Sequence, residues 1–169
     1  MIRVLILSLI CVVAQAIHAD DVLADLSDSL PQGRMPAPNR VVSGGIDSTH
    51  MELLRRAGVE HIVSLRPAEE TPGFDEAHAA AQHGLVYHSI PIRGAESLTV
   101  DNVRKLDRIL HEIGDASALL HCSSGNRVGA LIALREAWLY GRPVEHAIAV
   151  GREWGLTKLE PTVRELLEN

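Results

Sequence analysis

Short apolar runs alternate with helical patterns through most of this chain, and this alternation limits the folds that it can adopt. The runs predicted to form strands are, in chain order, 41–43, 61–65, 85–90 and 117–121. The segments predicted to form helices are 49–57, 74–83, 99–113, 127–140, 144–154 and 161–167. Strands separated by helices are joined by crossovers that leave them parallel. We therefore expect a three-layer α/β fold with a mainly parallel central sheet flanked by helices.

The N-terminus has the layout of a secretory signal peptide. Arg3 supplies one positive charge, and residues 4–14 form an almost unbroken apolar run. Ala14-Gln15-Ala16 and Ala19 then offer small residues at which the segment could be cleaved. A retained membrane anchor is a weaker alternative, because the run is short for a bilayer span. Residues 1–19 are thus predicted to be a signal peptide, and the mature protein to be exported, to the periplasm, without stable membrane insertion.

The remaining chain is predicted to contain one leader and one domain. Residues 20–39 include Pro31, Gly33, Pro36 and Pro38, a composition typical of an irregular segment, and we expect them to lie over the surface. Residues 40–169 contain the strand and helix alternation and are predicted to form the α/β domain. The full chain has 169 residues, enough for one domain but not comfortably for two.

Charge and composition exclude several kinds of partner. The net charge is −6 and aromatic residues make up 3% of the chain, so neither a nucleic acid nor an anionic lipid surface is an expected partner. A small anionic or phosphorylated substrate would have to be held by a local positive site. The histidines lack the spacing of metal ligands, and neither a metal nor a cofactor is expected.

The mature protein is expected to contain a single thiol. The chain has two cysteines, and Cys11 would leave with the signal peptide, so Cys122 could form no intramolecular disulfide. A single unpaired cysteine in an exported protein is a candidate reactive group, although lone cysteines are more often inert buried thiols.

The residues around Cys122 favour the reactive interpretation. They read Cys122-Ser123-Ser124-Gly125-Asn126-Arg127 and join the last predicted strand to a helix. Successive backbone N–H groups from Ser123 to Arg127 can converge on an anion, and Gly125 allows the tight turn that such a loop requires. Arg127 can bind an oxyanion through two N–H groups. The same positive groups favour Cys122 as a thiolate, which is a strong nucleophile.

Residues 40–139 resemble a bacterial phosphatase-like family related to the dual-specificity and tyrosine phosphatases, which includes the phosphatase-like domains of β-lactamase-hydrolase-like proteins. The resemblance is carried by Val42-Ser43-Gly44-Gly45, by 62–67, by 84–92 and most specifically by the His121-Cys122 loop. It implies a protein-tyrosine-phosphatase-like fold and a cysteine-dependent phosphatase acting on a phosphomonoester. Cys122 would form a phosphocysteine intermediate, while Arg127 and the loop amides would bind the phosphoryl oxygens.

Two departures from the phosphatase pattern keep other functions open. Phosphatases of this superfamily usually have five residues between Cys and Arg, whereas this chain has four. Four is the spacing of many rhodaneses, whose loop Cys-Arg-Ser-Gly-Asn-Arg is similar to this one, so sulfur transfer through a Cys122 persulfide is the alternative reaction. Val128 stands where a hydroxyl residue commonly follows the phosphatase arginine. A non-catalytic oxyanion-binding module is the third alternative.

The general acid that the resemblance implies is missing from its expected place. The loop after Ile90-Pro91-Ile92 contains no aspartate, and Glu96 is the best substitute there. Asp101 is second, because a carboxylate in a first helical turn is already explained by the helix dipole. Arg66 follows a strand and could help to bind an anion, but an ion pair with Glu69 or Glu70 explains it equally well.

Overall fold

The computed structural model describes residues 21–168. The predicted signal peptide, residues 1–19, lies outside them. Within this part of the chain, every helix is too short or too polar to span a bilayer.

The described residues contain five strands and seven helices. The strands are β1 Arg34–Ala37, β2 Arg40–Ser43, β3 His61–Ser64, β4 Val86–Ser89 and β5 Ala118–His121. The helices are α1 at 21–29, α2 Met51–Arg56, α3 Glu76–Gln82, α4 Val100–Ile113, α5 Asn126–Trp138, α6 Val144–Glu153 and α7 Glu160–Glu168. Short 3-10 turns occur at Ser48–His50, Ala68–Glu70 and Ala95–Ser97.

The strands form one sheet in the order β1-β2-β5-β3-β4. Strands β2, β5, β3 and β4 are parallel, and only β1 runs antiparallel to its neighbour. The predicted three-layer α/β fold with a mainly parallel sheet is therefore confirmed. His121 at the end of β5 lies opposite Ser43 on one side and Ser64 on the other. The segments that follow these three strands consequently leave the sheet at the same edge, where ligands of such sheets bind.

Each face of the sheet packs against its own helical layer. Leu119 points into an apolar cluster with residues of α1, α2 and α3, and Leu120 points into a second cluster with residues of α4 to α7. Both side chains are fully buried. Burying a leucine contributes about 1.5–3 kcal/mol, so β5 is held firmly from both sides. The loop that follows it is thereby fixed in position.

Residues 21–39, the described part of the predicted leader 20–39, do not lie over the surface as their prolines suggest. Residues 21–29 are helical and bury Leu23 and Leu26 in the core, and β1 pairs with β2 through a turn at Pro38-Asn39. Pro36 is tolerated because β1 is an edge strand, where a missing N–H donor breaks no ladder, while Pro31 and Pro38 lie in turns. The α/β fold thus includes residues before position 40, and this part of the domain prediction is corrected.

Candidate active site

The loop from Cys122 to Gly125 turns directly from the central strand into α5. Cys122 is the first residue after β5, and its side chain is buried, with 1% of the residue exposed. Gly125 precedes the helix with φ 80°, a left-handed conformation in which glycine is favoured. An isolated bridge between Ser124 and Gly44 ties the loop to the segment that follows β2. The predicted strand–loop–helix arrangement around Cys122 is present.

Several backbone amides of this loop are available to bind an anion. The first residue of α5 whose N–H bonds to a backbone carbonyl is Gly129, which donates to Gly125 at 3.0 Å. Within residues 21–168, no hydrogen bond to a protein acceptor is made by the N–H groups of Ser123, Ser124, Asn126, Arg127 or Val128. Unbonded amides at a helix N-terminus carry partial positive charge and attract anions.

Arg127 uses four of its five N–H donors within the protein. Nη1 donates to Glu70 Oε1 at 2.8 Å and to the carbonyl of Ile92 at 2.6 Å. Nη2 donates to Glu70 Oε2 and to Ser123 Oγ, both at 2.7 Å. Among the described residues, its Nε–H has no carbonyl or carboxylate partner. To bind a substrate oxyanion through two hydrogen bonds, Arg127 must therefore use Nε–H and one further N–H. That second N–H has to leave its present protein acceptor when the substrate binds.

Glu70 is the site residue whose role the sequence did not reveal. It ends the turn after β3, forms a bidentate ion pair with Arg127, and accepts a hydrogen bond from Ser123 Oγ at 2.7 Å. Hydrogen bonds from Arg127 lower the pKa of the Glu70 carboxyl to about 2, although burial opposes this. Arg66 Nε lies 3.7 Å from Glu70 Oε2, which confirms the ion-pair interpretation of Arg66. The available signal was a glutamate just beyond the carboxyl end of the strand next to β5.

The charge of Arg127 is reinforced by its surroundings. Burial disfavours the guanidinium ion, but the hydrogen bonds to Glu70 and the nearby Cys122 side chain outweigh burial and raise the pKa of Arg127. The positive charge predicted beside Cys122 is thus present, and Glu70 partly neutralises it.

His121 lies beneath the loop and contacts a buried carboxylate. Its Nε2 lies 2.5 Å from Glu76 Oε1, and both side chains are buried. Ser64 Oγ donates to the other carboxylate oxygen of Glu76 at 3.2 Å. This buried group connects β5, β3 and α3 immediately behind Cys122.

Two other predicted site residues have different surroundings from Arg127. Asn126 Oδ1 accepts hydrogen bonds from the backbone N–H groups of Thr157 and Leu159, at 2.8 and 3.3 Å, so its side chain anchors the loop before α7. Glu96 is exposed and folds over Gly94, since a Cβ added at Gly94 would lie 2.6 Å from Glu96 Oε2. In the part of the chain that the structure describes, Glu96 makes no hydrogen bond or ion pair with Cys122, Ser123 or Arg127.

A cleft of about 630 Å³ shares two residues with this region. Arg66 and Glu76 form part of its wall, and Phe74 and Tyr87 add aromatic surface. Within residues 21–168, no cluster of three or more His, Cys, Asp or Glu side chains could hold a metal ion.

Replacing Glu70 with glutamine is expected to remove an acid-sensitive part of the stability. The folded-state pKa of Glu70 is about 2, below its ordinary value of 4.5, so its contribution is complete above pH 4.5 and is lost as the pH falls towards 2. We expect Glu70→Gln to lower the free energy of unfolding at pH 7 by about 1–3 kcal/mol, the range of hydrogen bonds to charged groups. Urea unfolding of both proteins from pH 7 to 2 should show this difference shrinking below pH 4.5.

Glu69→Gln is the matched control, because Glu69 occupies the same turn but pairs with Arg93 at the exposed surface. It should leave the free energy of unfolding nearly unchanged at every pH, because ion pairs at the exposed surface contribute little to stability. An equal loss of unfolding free energy in the two variants would contradict the stabilising role assigned to Glu70.

Comparisons with known proteins agree with this geometry at the level of the fold. No family model matches the chain. A β-lactamase hydrolase-like protein of Xylella fastidiosa is 34% identical over 99 residues, which cover 56% of this chain and 22% of the relative. The chain thus spans about a fifth of the length of the curated relatives that it matches.

Solved structures share the fold over most of the chain. A candidate DUF442 phosphatase from Shewanella putrefaciens has a TM-score of 0.67 and 22% identity, covering 85% of this chain and 93% of that protein. Kinase associated phosphatase, in a form whose catalytic-site cysteine is replaced by serine, has a TM-score of 0.58 and 16% identity. That alignment covers 76% of this chain and 87% of the phosphatase.

Proposed function

We propose that this chain, whose fold is that of the tyrosine and dual-specificity phosphatases and which resembles the phosphatase-like domains of β-lactamase-hydrolase-like proteins, is a cysteine-dependent phosphatase-like hydrolase acting on a phosphomonoester. One observation carries the proposal. Cys122 directly follows the central strand, and within residues 21–168 five backbone N–H groups of 123–128 have no protein acceptor, with the Arg127 guanidinium held beside them. A nucleophile and an oxyanion-binding site are thus combined in six consecutive residues.

The proposed reaction has two displacements at phosphorus. The Cys122 thiolate attacks phosphorus, a sulfur–phosphorus bond forms, and the bond to the leaving oxygen breaks with its electron pair remaining on that oxygen. Water then attacks the phosphocysteine, which releases inorganic phosphate and restores the thiolate. The amides of 123–128 and Arg127 stabilise the charge on the phosphoryl oxygens in both steps.

Ser123 is well placed to exchange its hydrogen bond for one to the substrate. Its hydroxyl accepts from Arg127 Nη2 and donates to Glu70 Oε2, both at 2.7 Å. Rotation of this hydroxyl would release one Nη2–H of Arg127 while the ion pair with Glu70 stays intact. Arg127 would then bind two substrate oxygens through Nε and Nη2, with Glu70 fixing the plane of the guanidinium.

Sulfur transfer through a Cys122 persulfide is the second candidate. The four residues between Cys122 and Arg127 favour it, since a shorter loop suits a persulfide better than a tetrahedral phosphate. A non-catalytic oxyanion-binding module is the third candidate. It is favoured by Val128, which stands in place of a hydroxyl residue, and by the ion pair that Arg127 already forms with Glu70.

Product analysis separates the three candidates. Purified protein is incubated with p-nitrophenyl phosphate in one reaction and with thiosulfate plus cyanide in another. We expect inorganic phosphate and an acid-quenched adduct on Cys122 with the mass of a phosphoryl group, and no thiocyanate. Thiocyanate without phosphate would establish sulfur transfer instead. Neither product, together with a rise in melting temperature in sulfate, would leave only the binding module.

We also propose that the protein is exported after cleavage within residues 1–19. Cleavage after Ala16 or Ala19 lies before residue 21, and the core residues Leu23 and Leu26 follow it. Either cut would therefore leave all the described residues in the protein. N-terminal sequencing of the protein recovered from the periplasm tests this, and a protein that still begins at Met1 would contradict it.

A further inference from the structure

We infer that this site acts on phosphoryl compounds whose leaving group departs without a proton from the enzyme, with acyl phosphates as the substrate class. The inference rests on the proposed function and concerns the same site. It is carried by the state and position of the carboxylates around Cys122, since a carboxylic acid would have to supply that proton.

Glu70 is the carboxylate in contact with the site, and its contacts require the ionised form. Its two oxygens accept hydrogen bonds from both terminal nitrogens of Arg127, and Oε2 accepts a third from Ser123. If Glu70 were protonated, its O–H would face the N–H groups of Arg127, which have no lone pair to accept it. Of its three partners, the Ser123 hydroxyl is the one that could accept this hydrogen bond. Glu70 therefore orients Arg127 and has no proton to give.

The other candidate acids near this edge of the sheet form no hydrogen bond with the loop. Glu69 is paired with Arg93 at 2.6 Å, and Glu76 is buried behind the loop against His121. Glu96 lies over Gly94 and receives a long hydrogen bond of 3.4 Å from Ser97 Oγ. Asp101, the second candidate acid, is exposed in the first turn of α4. Among the described residues, none of these four carboxylates forms a hydrogen bond with Cys122, Ser123 or Arg127.

The chemistry of the leaving group follows from that arrangement. When the P–O bond breaks without a proton donor, the full negative charge remains on the leaving oxygen. A carboxylate is stable in that form, since carboxyl groups have pKa values near 4, whereas a tyrosyl oxygen has a pKa of about 10. A general acid typically raises the rate about 10²–10⁴-fold. Without one, the rate falls mainly for substrates whose leaving oxygen is more basic. Acyl phosphates should therefore react faster than tyrosyl phosphates, and alkyl phosphates most slowly.

The test compares phosphoryl donors that differ in the acidity of the leaving group. The probes are acetyl phosphate, p-nitrophenyl phosphate, phenyl phosphate and glycerol phosphate, and kcat/KM is measured for each by phosphate release. We expect acetyl and p-nitrophenyl phosphate to exceed phenyl phosphate by at least about 10²-fold, with glycerol phosphate slower still. Values for acetyl and phenyl phosphate within about threefold of each other would overturn the inference.

Glu96→Gln decides whether Glu96 moves in during turnover to donate the proton. We expect this variant to have the same dependence on leaving-group acidity as the wild type. A loss confined to phenyl and glycerol phosphate would show that Glu96 is the acid, and the inference would be wrong. Failure of the proposed function gives a separate result, because no probe would then release phosphate or modify Cys122.

Discussion

Replacing Cys122 with serine is expected to abolish turnover of any phosphoryl substrate, with a fall in kcat of at least about 10⁴-fold. A cysteine sulfur is an intrinsically much stronger nucleophile than a serine hydroxyl, which reacts only when a base removes its proton. The substitution is nearly isosteric in a position that is 1% exposed, so the fold should be retained. Single-turnover kinetics with p-nitrophenyl phosphate, together with thermal unfolding of both proteins, provide the measurement.

Oxyanion binding should survive in Cys122→Ser, because the binding groups are the loop amides and Arg127. We expect sulfate to raise the melting temperature of the serine variant at least as much as that of the wild type. Cys122 is the free cysteine of the described residues, and sulfate should slow its alkylation by iodoacetamide in the wild type. Substantial activity in Cys122→Ser would mean that the nucleophile lies elsewhere.

Replacing Gly129 with alanine is expected to cause the largest loss of stability among single-methyl additions in α5. A Cβ at Gly129 would lie 2.1 Å from the backbone nitrogen of Leu156 and 2.5 Å from the carbonyl oxygen of Gly151. Both are backbone atoms, so α6 and the loop after it would have to move. Overpacking usually costs about 1–3 kcal/mol, and we expect a loss of about 3 kcal/mol or more in the free energy of unfolding. In a domain of this size that lowers Tm by roughly 6–12 °C.

Gly58→Ala provides the matched control for this prediction. Gly58 has φ +80° but no heavy atom within 4 Å of the added Cβ, so alanine there meets backbone strain without a clash. We expect a loss of about 1–2 kcal/mol, the cost of a left-handed conformation. A Gly129→Ala protein as stable as the wild type would contradict the close approach of α5 and α6. Because residues 126–128 of α5 belong to the proposed anion site, a partly folded variant should also lose its response to sulfate.

Most of the fold could be predicted because its signals are local. Strands β2 to β5 and helices α2 to α7 each have their own apolar pattern, and their alternation requires crossovers and a parallel sheet. Residues 21–37 were misinterpreted because α1 and β1 lie in a segment with several prolines. The edge position that makes Pro36 acceptable within a strand depends on which strand pairs with β1, and no local pattern carries that information.

The chemistry proposed for the loop follows from residues that are close together in the chain. Cys122, Gly125 and Arg127 lie within six residues, so a strand-to-helix turn alone brings the thiol, the unbonded amides and the guanidinium together. The surroundings of this loop depend instead on the tertiary structure. Glu70 reaches Arg127 across 57 residues because β3 pairs with β5, while Glu96, much closer in sequence, folds over Gly94. Contacts made across a sheet depend on strand order and loop conformation, which the spacing of residues along the chain does not specify.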